Sequence, residues 1–150
     1  TGVFTWKVSR GGNARVGSVA GHIKTGRGGG YRIVMIDGKN HRAHRLAWLY
    51  FYGDHPEMDL DHSDGDRANN AIANLRLATQ TENNANARLR SDSTSGYKGV
   101  SWERRRNSWR SNIALNGKQT YLGSFDTKEE AHAAYCVAAK RLFGEFARES

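Results

Sequence analysis

The chain is almost without cysteine and proline. Cys136 is its only cysteine and Pro56 its only proline. A single thiol forbids an intrachain disulfide and a zinc site built from several thiolates, and it suits a reducing compartment. Long apolar runs are missing as well. No run nears the roughly 18 residues that a membrane span needs, so no membrane partner is expected. Residues 1–6 lack a basic start followed by an apolar core, so they do not read as a signal peptide. The first residue is not Met, and either processing or missing N-terminal residues are expected. A cytoplasmic location, with access to host DNA, follows as an expectation.

Acidic residues are also in short supply. There are 15 Asp and Glu against 23 Lys and Arg, a formal net charge of +8. Such a surplus favours a polyanionic partner. Anionic lipid is the rival, but no basic amphipathic helix with a bulky apolar face is present. The surplus is uneven. Residues 61–90 hold four basic and four acidic residues, whereas from Arg88 to Lys118 eight basic residues face only Asp92 and Glu103.

The pattern along the chain predicts an α+β protein. Val3–Val8 and Tyr31–Ile36 are rich in β-branched and aromatic residues and read as strands. The glycines of 26–30 lack the Lys-Ser/Thr ending of a phosphate-binding loop and read as a flexible hairpin tip. Asp37-Gly38 is a turn signal. Residues 41–52 predict a helix with Leu46, Leu49 and Tyr50 on its buried stripe, closed by Gly53. Glu57–Asp61 predicts a strand with Met58 and Leu60 on one face and Asp59 and Asp61 on the other. Ile72, Leu75 and Leu77 anchor a return strand. Thr79 and Glu82 form a capping box, which puts Asn83 in the first turns of a helix. Residues 89–95 read as a linker between a first domain, 1–88, and a second, 96–150. In the latter, Tyr97–Val100, Trp109–Leu115 and Lys118–Leu122 read as strands, with an Asn116-Gly117 hairpin turn. A second capping box, Thr127 with Glu130, opens a helix that lays Ala131, Ala134, Tyr135, Ala138, Ala139 and Leu142 on one face and ends at Gly144.

The segment LDHSDGDRANNAIANLRLATQTENNAN, residues 60–86, carries the chemistry. Hydrolysing a phosphodiester needs a water nucleophile, a base to deprotonate it and stabilisation of developing charge. A hard cation takes oxygen ligands and keeps several waters, so few protein donors suffice. Asp61 offers a carboxylate and Asn83 an amide oxygen. His62 follows Asp61 in an extended segment and points to the other face, free to act as a base, because imidazole titrates near neutrality. Taken singly, each of these residues also reads as structural; the constellation is what points to a metal site. A calcium-binding EF-hand loop is excluded, because with Gly65 at its sixth position Leu60 would stand at the first ligand position. His44 reads as structural or as lying near a phosphate, and His41 and His55 as surface residues. Arg76 reads either as a phosphate contact or as half of an ion pair within the motif.

In these residues the chain resembles the HNH homing endonucleases with a ββα-metal motif, and most closely the phage-type branch with an H-N-N pattern. The matching text is HRLAW (44–48), DHSDGDRANN (61–70), NLR (74–76) and TENN (81–84). The resemblance implies that His62 is the general base, that Asn74 braces the loop and orients it, and that Asp61 and Asn83 hold one divalent cation, Mg²⁺ with Mn²⁺ able to substitute. It implies hydrolysis of one DNA strand per site, leaving 3′-hydroxyl and 5′-phosphate ends.

Residues 94–148 resemble the plant Apetala-two/ethylene-response-factor DNA-binding domain, through Gly96–Trp102, Trp109, Tyr121–Thr127 and Glu129–Ala131. That resemblance implies a three-stranded antiparallel sheet on one helix, with the sheet laid in the major groove. By position, Lys98 replaces a family Arg, Tyr121 replaces a contacting Trp, and Trp109 matches a family Trp. Ser101, Glu103 and Ala114 stand where plant members carry arginines, so the plant target sequence does not transfer. Arg104, Arg105, Arg106 and Arg110 supply charge instead, and Trp102 joins the expected DNA-binding set. The function expected is therefore a homing endonuclease acting on double-stranded DNA, by a nick or a double-strand break, as a monomer or weak dimer. The alternatives are a non-catalytic DNA-binding regulator with an HNH scaffold, and an RNA-binding protein.

Overall fold

The computed structural model describes residues 1–12, 14–26 and 29–149. Contacts divide the chain into two compact units, Thr1–Ala78 and Thr79–Ser150. Three antiparallel sheets and three α-helices appear among the described residues.

The first unit opens with a sheet of β1 (His22–Ile23), β2 (Arg32–Ile36) and β3 (Lys39–Arg42), in that order. β1 and β2 pair antiparallel, His22 with Ile33; the hairpin tip expected at residues 26–30 falls partly on residues 27 and 28, which lie outside the described set. Asp37-Gly38 closes the next hairpin, with Ile36 paired to Lys39 and Ile33 to Arg42. That pairing carries strand geometry through His41 and Arg42, so the helix expected from residue 41 starts later, as α1 (Ala43–Tyr52). Gly53 ends it, donating its N–H to the Leu49 carbonyl at 2.9 Å. The buried side of α1 is Ala43, His44 and Ala47, and Leu46 packs beside it. Tyr50 is 86% exposed, so its expected place in the buried stripe is wrong. A helix of three turns can seat only its first two turns on so small a sheet. Val3–Val8 is likewise not a strand. Only Thr5 bridges to Val19, yet Phe4 and Trp6 pack on the core of Ala20, Val34 and Ala43.

The second sheet of this unit is the pair β4 (Asp59–His62) and β5 (Leu75–Ala78), preceded in the return by a 3₁₀ turn at Ile72–Asn74. The strand starts two residues later than expected and leaves Met58 40% exposed. Leu60, Asp61 and His62 are all buried, so β4 is covered on both faces. Its register sets Asp61 opposite Arg76 and His62 opposite Leu75.

The second unit begins with α2 (Gln80–Asn86), whose Thr79–Glu82 capping box is fully formed. Residues 87–99 hold no helix or strand. Then come β6 (Val100–Glu103), β7 (Ser108–Leu115) and β8 (Lys118–Phe125), an antiparallel sheet in chain order, and α3 (Lys128–Phe143). The first of these strands starts at Val100, where the expected one ends. Asn116 and Gly117 take φ of 50° and 75°, the left-handed pair of a two-residue hairpin. The core joins Ala85 of α2, Ile113 of β7 and Tyr135, Ala139 and Phe143 of α3. Leu142, expected on that face, is 41% exposed; Phe143, one residue on, is buried in its place.

Candidate active site and nucleic-acid interface

Asp61 and His62 are adjacent on β4 but engage different partners. The Asp61 carboxylate faces Arg76 across the ladder, and Arg76 Nε and Nη2 both reach its Oδ2 at 2.9 Å. Of the two readings of Arg76, the ion pair within the motif is therefore present. Both side chains are largely buried, so the pair is a linked unit in which neither charge is tolerable alone.

His62 is 4% exposed. Its Nε2 lies 3.1 Å from Oδ1 of Asn70, which is itself buried. An Nε2–H tautomer would donate to this amide oxygen and leave the imidazole lone pair on Nδ1. The ring also meets His44 edge-on, centroids 5.1 Å apart, and lies 6.0 Å from Tyr31, which in turn contacts His44 at 5.1 Å. Tyr31, His44 of α1 and His62 of β4 thus form a ring cluster that holds the imidazole. Burial, then the neighbouring His62, Arg42 and Arg45, push the His44 pKa down to about 3. His44 is a neutral packing surface for His62.

Asn74 braces the loop that follows His62. Its Nδ2 donates to Asp64 Oδ1 at 3.0 Å and to the Asn69 carbonyl at 2.8 Å, and its Oδ1 accepts from the Asp64 N–H at 3.1 Å. Its own carbonyl accepts from Ser63 N–H at 2.9 Å. The Asp64 carboxylate accepts further bonds from Asn69 Nδ2 and the Asp66 N–H. Slight burial raises the Asp64 pKa, but these hydrogen bonds outweigh it and hold the acid below its ordinary value. Asn74 thus braces the loop that follows His62, whereas Asn70 lies within hydrogen-bond distance of the His62 ring itself. Sequence reading gave Asn70 no role beyond its place in the matching text DHSDGDRANN. The one signal available was its place, second of an Asn-Asn pair at the end of a turn-rich run, just before the apolar return strand.

For a hard cation, the donor chemistry of this chain is oxygen with few acids. Among the described residues, no three of His, Cys, Asp and Glu gather as a metal-holding group. The expected set needs only one carboxylate, and Asp61 is a buried acid whose charge is balanced by Arg76, which fits a single oxygen donor beside several waters. Asn83 lies in α2, four residues past the Thr79 cap, and its N–H bonds the Thr79 carbonyl at 3.0 Å.

The second unit separates the expected DNA-binding residues into two sets. Side chains alternate along β7, and Ile113 faces α3. Trp109 shares its parity, pairs with Trp102 and meets it edge-on at 5.1 Å. The two tryptophans thus lie on the α3 side of the sheet, Trp102 at its exposed margin. Arg110 lies on the opposite face, with its guanidinium 5.2 Å from the Tyr121 ring and Nε bonded to Asn112 Oδ1 at 3.0 Å. Arg104, Arg105 and Arg106 form the exposed turn between β6 and β7. Lys98 turns inward instead. Its Nζ donates to the Ala85 and Ala87 carbonyls at 2.6 and 2.8 Å, closing the end of α2. Burial, then Arg148, bring its pKa down to about 8. Its ammonium is a helix-end anchor, not a free surface charge.

No helix among the described residues is long and apolar enough to cross a membrane. Residues 41–85 match the HNH endonuclease family and residues 95–145 the AP2 domain. The chain is 38% identical to Protein 3.8 of Escherichia phage T7, over 71% of this chain and 88% of that one. It is 32% identical to an uncharacterized HNH endonuclease of Acanthamoeba polyphaga mimivirus, over 79% of this chain and 61% of that one. An AP2-like ethylene-responsive transcription factor of Arabidopsis thaliana is 47% identical over 34% of this chain and 10% of its own length. No solved structure matches. With the ordered loop of His62 and Asn74 followed by a sheet-and-helix AP2 module, the chain belongs to the HNH endonuclease family, in a form that carries an AP2 domain.

Proposed function

We infer that this protein is a metal-dependent homing endonuclease that hydrolyses phosphodiester bonds of double-stranded DNA at a site chosen by its AP2 domain. The observation that supports this reading is the buried His62 ring, held through Nε2 by Asn70 Oδ1 and packed against Tyr31 and His44. In the proposed reaction, His62 Nδ1 takes the proton of the water that attacks phosphorus. The bond from phosphorus to the 3′-oxygen breaks and that oxygen takes a proton from solvent water, giving 3′-hydroxyl and 5′-phosphate ends. Asn74 keeps the loop, and hence the ring, in register. Asp61 and Asn83 are the residues that would hold the cation, Mg²⁺ or Mn²⁺, which supplies charge stabilisation at the phosphoryl oxygens. The catalytic part spans residues 1–88 and is joined through 89–95 to the reader, 96–150. Arg110, Tyr121 and the arginines of 104–106 meet DNA. Joining the two raises the local concentration of a weakly selective nuclease at a chosen site.

The test is plasmid nicking with Mg²⁺ or Mn²⁺, comparing wild type with His62→Ala. Loss of a general base predicts a fall of about 10²–10⁴-fold. Equal activity in the two proteins, or none in either with both metals, sinks the nuclease reading and leaves a DNA-binding regulator.

A further inference from the structure

Beyond the residues already given roles, the first unit carries a pair of cations held by an aromatic ring. Arg42, at the end of β3, places its guanidinium 4.9 Å from the centre of the Tyr31 ring. Arg67, in the loop after β4, places its own at 5.0 Å from the same ring. Arg67 is fixed further: Nη1 donates to the Gly29 carbonyl at 3.0 Å, and its stem runs beside Gly30. Both arginines are exposed residues. Among the described residues neither has a carboxylate within ion-pair distance, unlike Arg76, which Asp61 neutralises. Nearby Asp66 is turned into its own loop, where it accepts the Ala68 N–H at 2.9 Å.

A ring contact orients a guanidinium without cancelling its charge, and its edge keeps several N–H donors for a ligand. Tyr31 is also part of the ring cluster that holds His62, 6.0 Å from that imidazole. Both guanidiniums therefore lie no more than about 11 Å from the His62 ring, roughly three nucleotide rises of 3.4 Å along one strand. We propose that Arg42 and Arg67, stacked on Tyr31, form a phosphate clamp that grips the backbone of the cut strand within a few nucleotides of the scissile bond. Planar forks suit phosphate oxygens, and a preoriented pair loses little side-chain freedom on binding. Its location beside the bond being cut rests on the nuclease reading of His62; phosphate binding by the pair does not.

The test separates the two. A fluorescein-labelled duplex of about 30 base pairs and arbitrary sequence is titrated with the full chain in EDTA, across a series of salt concentrations. Removing one phosphate contact lowers the slope of log affinity against log salt by about 0.9. Arg42→Ala and Arg67→Ala should each lower it by about one, and the double variant by about two. Wild type's advantage over the double variant should then shrink about tenfold between 50 and 200 mM salt. Arg42→Lys and Arg67→Lys, which keep the charge, should keep the slope. If an alanine variant melts early by circular dichroism, Arg42→Gln or Arg67→Gln takes its place. A double variant with the wild-type slope and affinity overturns the clamp even if the protein nicks DNA. An altered slope in a protein that never nicks keeps phosphate binding by the pair but removes its link to a cut.

Discussion

Replacing His44 by phenylalanine should make the protein more resistant to acid, and the size of the gain can be worked out. His44 is 3% exposed and keeps a pKa of about 3 in the fold, against the ordinary 6.5. A depressed folded pKa means that the unfolded chain binds a proton which the folded one refuses. His44 therefore costs nothing above pH 6.5, and its penalty grows as pH falls from there toward 3. Each pH unit in that window is worth about 1.4 kcal/mol for one proton, so the penalty reaches about 2 kcal/mol at pH 5. Phe keeps a ring in the cluster with Tyr31 and His62 and removes the titration. Urea unfolding of both proteins, followed by fluorescence, at about pH 7 and pH 5 supplies four stabilities. The comparison cancels every other group that titrates equally in both. The wild type should lose about 2 kcal/mol more than His44→Phe between those two conditions. Equal losses, within about 0.5 kcal/mol, would refute the claim that His44 stays neutral in the ring cluster.

Asn70→Ala should cut kcat by about 10²-fold with little change in KM, because the imidazole loses the partner that sets its tautomer. A shifted pH–rate profile distinguishes this from general loosening, which steady-state nicking over a pH series would show. Arg76→Ala leaves the buried Asp61 carboxylate unbalanced and should cost about 3–5 kcal/mol, read as a lower urea midpoint; Arg76→Lys should recover part of it. Lys98→Ala should cost about 1.5–3 kcal/mol by removing two charge-assisted bonds to the end of α2. It should leave the salt slope of DNA binding unchanged, and a slope lower by one would instead make Lys98 a phosphate contact.

What was legible in the sequence is what local chemistry dictates. Both capping boxes, the Asn116-Gly117 hairpin, the Gly53 stop and the order of the second unit's strands and helix depend on residues within a few positions of each other. The pairing of Asp61 with Arg76 was one of two open readings, because it depends on a register that no local signal sets. Tyr50 failed for a related reason. Its spacing from Leu46 fits a helical stripe, but whether a stripe is covered depends on how far the opposing sheet extends. Trp102 and Trp109 show the same limit in the second unit. The match of Trp109 to a family Trp suggested the DNA face, with a core place as the other reading, and strand parity with Ile113 puts both on the α3 side.

Asn70 and Tyr31 were missed because their role comes from convergence in space. Tyr31 is far from His62 along the chain, and nothing in the strand pattern of Tyr31–Ile36 distinguishes a ring aimed at the His62 imidazole from one aimed at a core. Yet the position of His62 depends on that distance being closed. β4 and β5 alone would hold it by a ladder of four residue pairs, and an isolated two-stranded sheet is marginal in water. The rings of Tyr31 and His44 add contacts worth about 0.5–1.5 kcal/mol each beyond their burial, and they come from the residue just before β2 and from α1. Tyr31, upstream of the HNH match, is therefore part of what positions the His62 ring, and the arginines stacked on that same Tyr31 couple any grip on the DNA backbone to the placement of His62.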